Sequence, residues 1–387
     1  MTKVIFFFEN LVDNFQLERF GINYLKKKKF KYEVYNLSAY TRPNFFKNTR
    51  KKISFSKNLK NLDEITQKIK SFNKDDIVFF QLGLSIKSLF IIKILNKRKI
   101  KFVFFEFGNL PFFSYTLTQK LIIFAKYPLI STRHFIRNKF IRLLRLLYFY
   151  PYYYIYAGNI SASKFKSKFS INVPDIDHDR FIIYKRNKNL LNSKKKYFKK
   201  KYLLYLETPF NHPDGLYEND RLPPEKVCSF NDYYNPLSDF LKFISTKLKI
   251  DIKLFLHPKS NLKKYPIPHS GKIKTYSNLS FFENCKLVCV HNSTAIKFAV
   301  LFNKPIIFLN QNNFSVTNQN NIKYLSKYFK QSYVNFSEIS YYKNLNPKVR
   351  LVKNKKIYKK FIKNYICNYK TSKTSYEIYY KKILGIN

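Results

Sequence analysis

The chain has 387 residues, of which 45% are hydrophobic and 19% aromatic. This composition can bury a large core, which excludes a wholly disordered chain, and the presence of only seven glycines excludes collagen-like and Gly-rich architectures. Lys and Arg outnumber Asp and Glu by 73 to 23, a formal net charge of +50 that taken alone suggests nucleic acid. The abundant Lys, Asn, Ile, Phe and Tyr are, however, the residues that AT-rich codons supply most readily. The densest basic runs, Lys26–Lys29 and Lys194–Lys201, are short and form no recognition block. The charge is therefore read as a surface suited to an anionic membrane, with no specific nucleic acid as partner.

In chain order, Val4–Phe8 reads as a buried strand, Phe15–Lys28 as a helix and Tyr32–Leu37 as a second strand. A helix over Leu62–Phe72 leads to a strand at Ile77–Leu82. Ser85–Lys97 reads as a helix with Ser85 as its cap, and Phe102–Phe107 as a strand ending at Gly108. Apolar β-branched and aromatic runs separated by helices of ten to fifteen residues are the pattern of a parallel sheet covered on both faces. From Gln119 to Phe149 the chain is helical, with Arg133, Arg137, Arg142 and Arg145 interleaved among aliphatic and aromatic residues, and Tyr148–Tyr156 is almost entirely aromatic. Two readings of this region stand: a core helix against the sheet, or an amphipathic surface facing a membrane.

The Lys-rich stretch Tyr184–Tyr202 reads as a linker, after which the α/β pattern restarts. Strands are expected at Tyr202–Leu206, Asp251–Leu256, Leu287–Val290 and Pro305–Leu309, and helices at Asn231–Leu248 and Ala295–Phe302. Two more helices are expected within Lys355–Leu384. The fold class is thus α/β: two Rossmann-like domains, 1–190 and 200–354, facing a central cleft, with C-terminal helices over 355–387. Cys228, Cys285, Cys289 and Cys367 lack both disulfide and zinc spacing and read as small buried hydrophobes. The N-terminal apolar run is too short for a signal peptide and no window suits a membrane span, so a cytoplasmic protein is expected.

Polar residues gather at strand ends in the second half. The strand ending at Leu256 runs directly into His257, Pro258 and Lys259, and the strand ending at Val290 into His291, Asn292, Ser293 and Thr294. Parallel sheets bind ligands beyond the carboxyl ends of their strands. Ser293 and Thr294 offer hydroxyls and a helix N-terminus to a phosphate, or else serve as an ordinary cap. The His257 and His291 motifs are 34 residues apart, on strands that read as neighbours. Asp175, Asp177, His178 and Asp179 form an acidic cluster that reads as a loop, and no metal site is assigned.

The run Val290–Phe308, with Leu254–Lys259 before it, resembles bacterial surface-polysaccharide glycosyltransferases of the GT-B type. It is similar to sialyltransferase, polysialyltransferase and Kdo-transferase-like families, which set a His-Pro motif and a Ser/Thr motif around the donor nucleotide. The opening Val4–Leu25 resembles proteins of capsule and O-antigen clusters. The resemblance implies an inverting, metal-independent transferase with no cofactor. A nucleotide-sugar donor, CMP-sugar first, would be held by His257, Pro258, Lys259, His291, Asn292, Ser293 and Thr294. The acceptor would be a glycan or a lipid-linked sugar at the inner face of the plasma membrane.

In those families the base is a carboxylate in an acidic-acidic-Gly motif. The nearest match is Asp214 in Pro213-Asp214-Gly215, where Pro replaces the first acidic residue and a plain turn is the competing reading. Glu207 and Glu9, each at a strand end, are rival bases. Two alternatives remain: a UDP- or GDP-sugar donor within the same architecture, or a basic nucleic-acid-binding protein, which would leave both His motifs unexplained.

Overall fold

The computed structural model describes residues 2–10, 12–49, 55–162, 164–190, 201–208, 230–257, 274–275, 279–338 and 353–386. Seven strands form the first sheet: β1 (Val4–Phe8), β2 (Tyr32–Asn36), β3 (Lys57–Asn58), β4 (Ile77–Gln81), β5 (Lys101–Glu106), β6 (Tyr153–Ala157) and β7 (Phe169–Val173). Their order is β3-β2-β1-β4-β5-β6-β7. Six form the second: β8 (Tyr202–Leu206), β9 (Asp251–Leu256), β10 (Lys274–Thr275), β11 (Cys285–Val290), β12 (Ile306–Asn310) and β13 (Ser332–Asn335). Their order is β10-β9-β8-β11-β12-β13, and neighbouring strands in both sheets pair in parallel. Each half therefore winds outward from its first strand, returns, and continues on the other side. The switch points fall between β1 and β4 and between β8 and β11.

The residues explain the strands. Every position of β1 and of β8 is buried, as a strand covered by helices on both faces requires. Within β1 the alternation sends Phe6 and Phe8 into one core layer and Ile5 and Phe7 into the other. The helix Ile86–Lys97 starts at a capping box in which Ser85 and Ser88 satisfy each other's backbone N–H groups.

Four sequence readings need correction. The helix expected over Phe15–Lys28 is two helices, Asn14–Arg19 and Ile22–Lys27, broken at Gly21. Gly21 has φ +61°, and a Cβ there would lie 2.5 Å from Tyr376 Cβ. The aromatic run after Tyr148 contains β6, which β7 then pairs with. The acidic cluster is no loop: Ile176–Leu190 is a helix whose first turn holds Asp177 and Asp179, and it takes in part of the stretch read as a linker. Acidic residues in a first helical turn suit the helix dipole. Finally, β9 and β11 are not neighbours, because β8 lies between them.

The end of the chain packs back on the first sheet. The helix Ser375–Leu384 buries Tyr379 and Tyr380 beside Phe79, and both hydroxyls donate to the Phe20 carbonyl at 2.8 Å. Lys355–Phe361 and the π-helical turn Ile362–Ile366 pack instead on the second core. At Gly158 (φ +66°) the Asn364 carbonyl comes so near that a Cβ would be 2.2 Å from its oxygen. The elements from Lys355 to Leu384 thus strap the two halves together.

Candidate active site

The carboxyl ends of the two sheets meet at a buried ion pair. Asp175 lies just beyond β7, and its Oδ2 accepts the Gly108 N–H, just beyond β5, at 2.8 Å. The same oxygen is 2.9 Å from Lys297 Nζ, which comes from the helix Ile296–Leu301 after β11. Asp177 Oδ2 is 3.9 Å from that nitrogen. Lys297 is fully buried and Asp175 nearly so; the contact is charge pairing rather than an aligned hydrogen bond. Burial pushes the Asp177 carboxyl above the usual range, against the opposing charge of Lys297. Asp179 is also raised by burial and anchors the terminal helix through the Ser375 N–H and hydroxyl.

In the second half the sheet brings three predicted features together. Glu207, His257 and the Ser293-Thr294 turn follow β8, β9 and β11, three adjacent strands. Glu207 Oε2 accepts the backbone N–H of His257 at 3.2 Å, so this carboxylate fixes the path of the chain leaving β9. Desolvation lowers the His257 pKa to about 4, leaving a ring that is neutral at physiological pH. Pro258, Lys259 and Asp214 lie outside the described residues.

His291 has a different setting. Its ring is fully buried, with Nδ1 2.8 Å from the Leu309 carbonyl and Nε2 3.0 and 2.8 Å from the Tyr205 and Tyr233 hydroxyls. The carbonyl fixes the tautomer: Nδ1–H donates, and Nε2 accepts from a tyrosine. Burial lowers this pKa also to about 4. The imidazole is committed to the protein and sets the floor under the turn.

The turn itself departs from the expected phosphate cradle. The N–H groups of Ile296, Lys297 and Phe298 donate to the carbonyls of Ser293, Thr294 and Ala295 at 3.0–3.2 Å, and the Ala295 N–H donates to Ser293 Oγ at 3.3 Å. The helix that follows has only six residues. An anion here would meet hydroxyls, with Thr294 exposed, and not a row of free amides. Asn292 donates to Asn318 Oδ1 at 3.1 Å, tying the turn to the helix Val316–Phe329.

Sequence reasoning missed a set of unpaired polar atoms. Thr208 Oγ1, one residue past Glu207, and Asn310 Oδ1 and Gln311 Oε1, at the end of β12, are buried without hydrogen-bond partners among the described residues. Gln81 Nε2, at the end of β4 in the first sheet, is another. Buried polar atoms are ordinarily paired, and each orphan costs about 1–3 kcal/mol. All four sit at carboxyl ends of strands, where a polar ligand would satisfy them. Nothing in the sequence separates a Thr or Gln at a strand end from an ordinary turn residue. On the first-sheet side Glu9, just past β1, accepts the Gly83 N–H at 2.9 Å. Burial raises its pKa, opposed by that hydrogen bond and by Arg42.

No protein-family model matches the chain, and no curated protein does. Solved structures of similar architecture include UDP-GlcNAc 2-epimerase from Methanocaldococcus jannaschii in complex with UDP-GlcNAc and UDP (14% identity, TM-score 0.49, covering 100% of this chain and 99% of that one). MurG from Acinetobacter baumannii is similar at 8% identity and TM-score 0.47, with 100% of both chains covered. The wall teichoic acid polymerase TagF is similar at 12% identity and TM-score 0.48, with 99% and 89% covered.

Proposed function

We propose that the protein is a glycosyltransferase that moves a sugar from a nucleotide-sugar to a hydroxyl of a surface glycan or lipid-linked acceptor, working at an anionic membrane surface. One observation carries this reading: His257, the Ser293-Thr294 turn, Thr208 Oγ1 and Gln311 Oε1 lie at the carboxyl ends of β8, β9, β11 and β12, and the last two atoms have no hydrogen-bond partner among the described residues. The first half closes against that edge through Asp175 and Lys297. Such a sheet edge, with polar atoms left unsatisfied among the described residues, suits a nucleotide with a phosphate.

In the transfer, the acceptor oxygen forms a bond to the anomeric carbon while the bond from that carbon to the phosphate oxygen breaks. The electron pair leaves with the nucleotide, and the acceptor proton passes to a carboxylate. Attack opposite the leaving group inverts the anomeric centre. His257, neutral and fixed in place, donates a hydrogen bond to the phosphate as its charge develops, with the Ser293 and Thr294 hydroxyls beside it. Glu207 orients His257 through the backbone. The base is one of two carboxylates: Glu9, with its raised pKa just past β1 of the first sheet, or Asp214, carried over from the resemblance. The nucleotide-sugar is a substrate, and CMP- and UDP-sugars stand as equal donors.

The test is turnover with each donor class. His257→Ala removes the ring but keeps the backbone N–H held by Glu207, so the fold should survive while turnover drops at least ~100-fold. Full activity in this variant would sink the assignment. Glu9→Gln and Asp214→Asn, assayed in parallel, identify the base by which of them abolishes transfer.

A further inference from the structure

The helices Leu117–Lys126 and Pro128–Tyr148, joined at Tyr127, are an unusual part of the first half. Among the described residues, only the last turns of the second helix are held by the body of the protein. Leu144 is buried, Ile141 and Tyr148 pack beside it, and the Tyr148 carbonyl accepts Asn96 Nδ2 at 2.6 Å. The first helix has no buried residue at all. The second presents Leu129, Ile136, Phe140, Leu143 and Leu147 to solvent, with Leu129 86% exposed. From Ile136 to Leu147 these fall at i, i+4, i+7 and i+11, one continuous stripe of a helix. Leu117, Leu121 and Phe124 repeat the spacing on the first helix and are exposed too. Exposed apolar surface on this scale marks an interaction site.

Charge decides the occupant. The two helices carry seven Lys and Arg, and no Asp or Glu occurs anywhere from Phe107 to Pro174. A second copy of this chain would set like charge against like charge with no acidic partner. Nucleic acid would match the charge but not the leucines. An anionic bilayer matches both, with phosphates at the level of the basic heads and acyl chains at the level of the stripe. Arg and Lys stems reach upward from an embedded helix to the headgroups. No helix among the described residues is long and apolar enough to cross a membrane, so the element lies in the surface.

We infer that these two helices form a monotopic docking element that inserts its apolar stripe below the headgroups of an anionic membrane. This gives a site and a mode to the membrane association proposed above, and rests on that part of the reading alone. Its position also serves an acceptor embedded in lipid. The segment between β5 and the first helix leans on the second half, with Leu110 in that core and the Phe113 N–H donating to Asn321 Oδ1 at 3.1 Å. The docking element therefore begins beside the junction of the two sheets.

Cosedimentation of the full chain with phosphatidylglycerol-rich and with pure phosphatidylcholine vesicles tests the inference without any turnover, so its failure would leave the transfer reading standing. Inserted protein should prefer the anionic vesicles and, once bound, stay bound when salt is raised to about 1 M, where the Debye length is about 3 Å. Replacing Phe140, Leu143 and Leu147 together by Ser should weaken binding at least ~100-fold, with unchanged melting because all three are solvent-exposed. The chain contains no tryptophan, so the conservative Leu143→Trp variant reports insertion by itself. Its emission should shift to the blue with anionic vesicles and be quenched by lipids brominated in their acyl chains. Complete release by salt, an introduced tryptophan that stays in water, or a dimer that forms without vesicles and hides the stripe would each overturn the inference.

Discussion

His257 and His291 show how one residue type serves two ends. Both follow strands of the same sheet, and burial holds both pKa values near 4. His291 spends both nitrogens inside the protein, and the backbone N–H of His257 is held by Glu207. The sign of the pH effect follows from the shift. An ordinary histidine titrates at 6.5, so the unfolded chain takes up the proton first as pH falls. Stability from the neutral, buried ring is complete above about pH 6.5 and is lost as pH drops from there through 4. For His291 the loss between pH 7 and pH 5 is about 2 kcal/mol. Urea unfolding at both pH values should show His291→Leu less stable than the wild type at pH 7, with a pH dependence shallower by that amount. An unaltered pH dependence in the variant would contradict the assignment. The sequence marks both histidines by their place after apolar runs. It does not tell an enclosed ring from one at a crevice, because Tyr205, Tyr233 and the Leu309 carbonyl that enclose His291 are 86, 58 and 18 residues away.

At the scale of elements, the buried strands are the most legible part of the chain. β1 and β8 end where the apolar runs end, since a strand buried on both faces must be apolar throughout. Legibility fails where tertiary contact overrides local pattern. Gly21 breaks a helix because Tyr376 packs over it, and the aspartates of 175–179 look like a solvated loop until Lys297 and Ser375 are brought against them. That joint carries a prediction. Lys297→Met leaves Asp175 buried without its cation and should cost about 3–5 kcal/mol, with Lys297→Met/Asp175→Asn recovering a substantial part. Chemical denaturation measures both, and a neutral single variant would show that the ion pair does not hold the halves. The Ser293-Thr294 turn carries another. Because the neighbouring amides are bonded locally, the two hydroxyls are what the turn offers a phosphate. Each hydrogen bond to a charged group is worth about 1.5–3 kcal/mol. Replacing both residues by Ala should thus weaken donor binding by about two to four orders of magnitude in calorimetric titration. Unchanged affinity with lowered melting would reduce the pair to a helix start.

At the scale of the molecule, two parallel sheets meet at their carboxyl ends and the terminal helices bind both. The two-fold restart of the α/β pattern is visible in the sequence, and the strap is not. Tyr379 and Tyr380 complete the first core from 359 and 360 residues beyond Phe20, a distance no local pattern reports. The excess of positive charge is also misleading until it is placed: on the two exposed helices it accompanies a leucine-rich stripe, the combination on which the proposed membrane docking rests. The central claim is the proposal that the carboxyl ends of the strands of the second sheet bind a nucleotide-sugar. Thermal unfolding in the presence of CMP-, UDP- and GDP-sugars tests it most directly, because a ligand of the native state stabilises by about 2.7 kcal/mol at a hundred times its Kd. The account predicts that one nucleotide class raises Tm by several degrees and that His257→Ala reduces the rise. No shift with any of the three, or an equal rise with nucleic acid in their place, would contradict it.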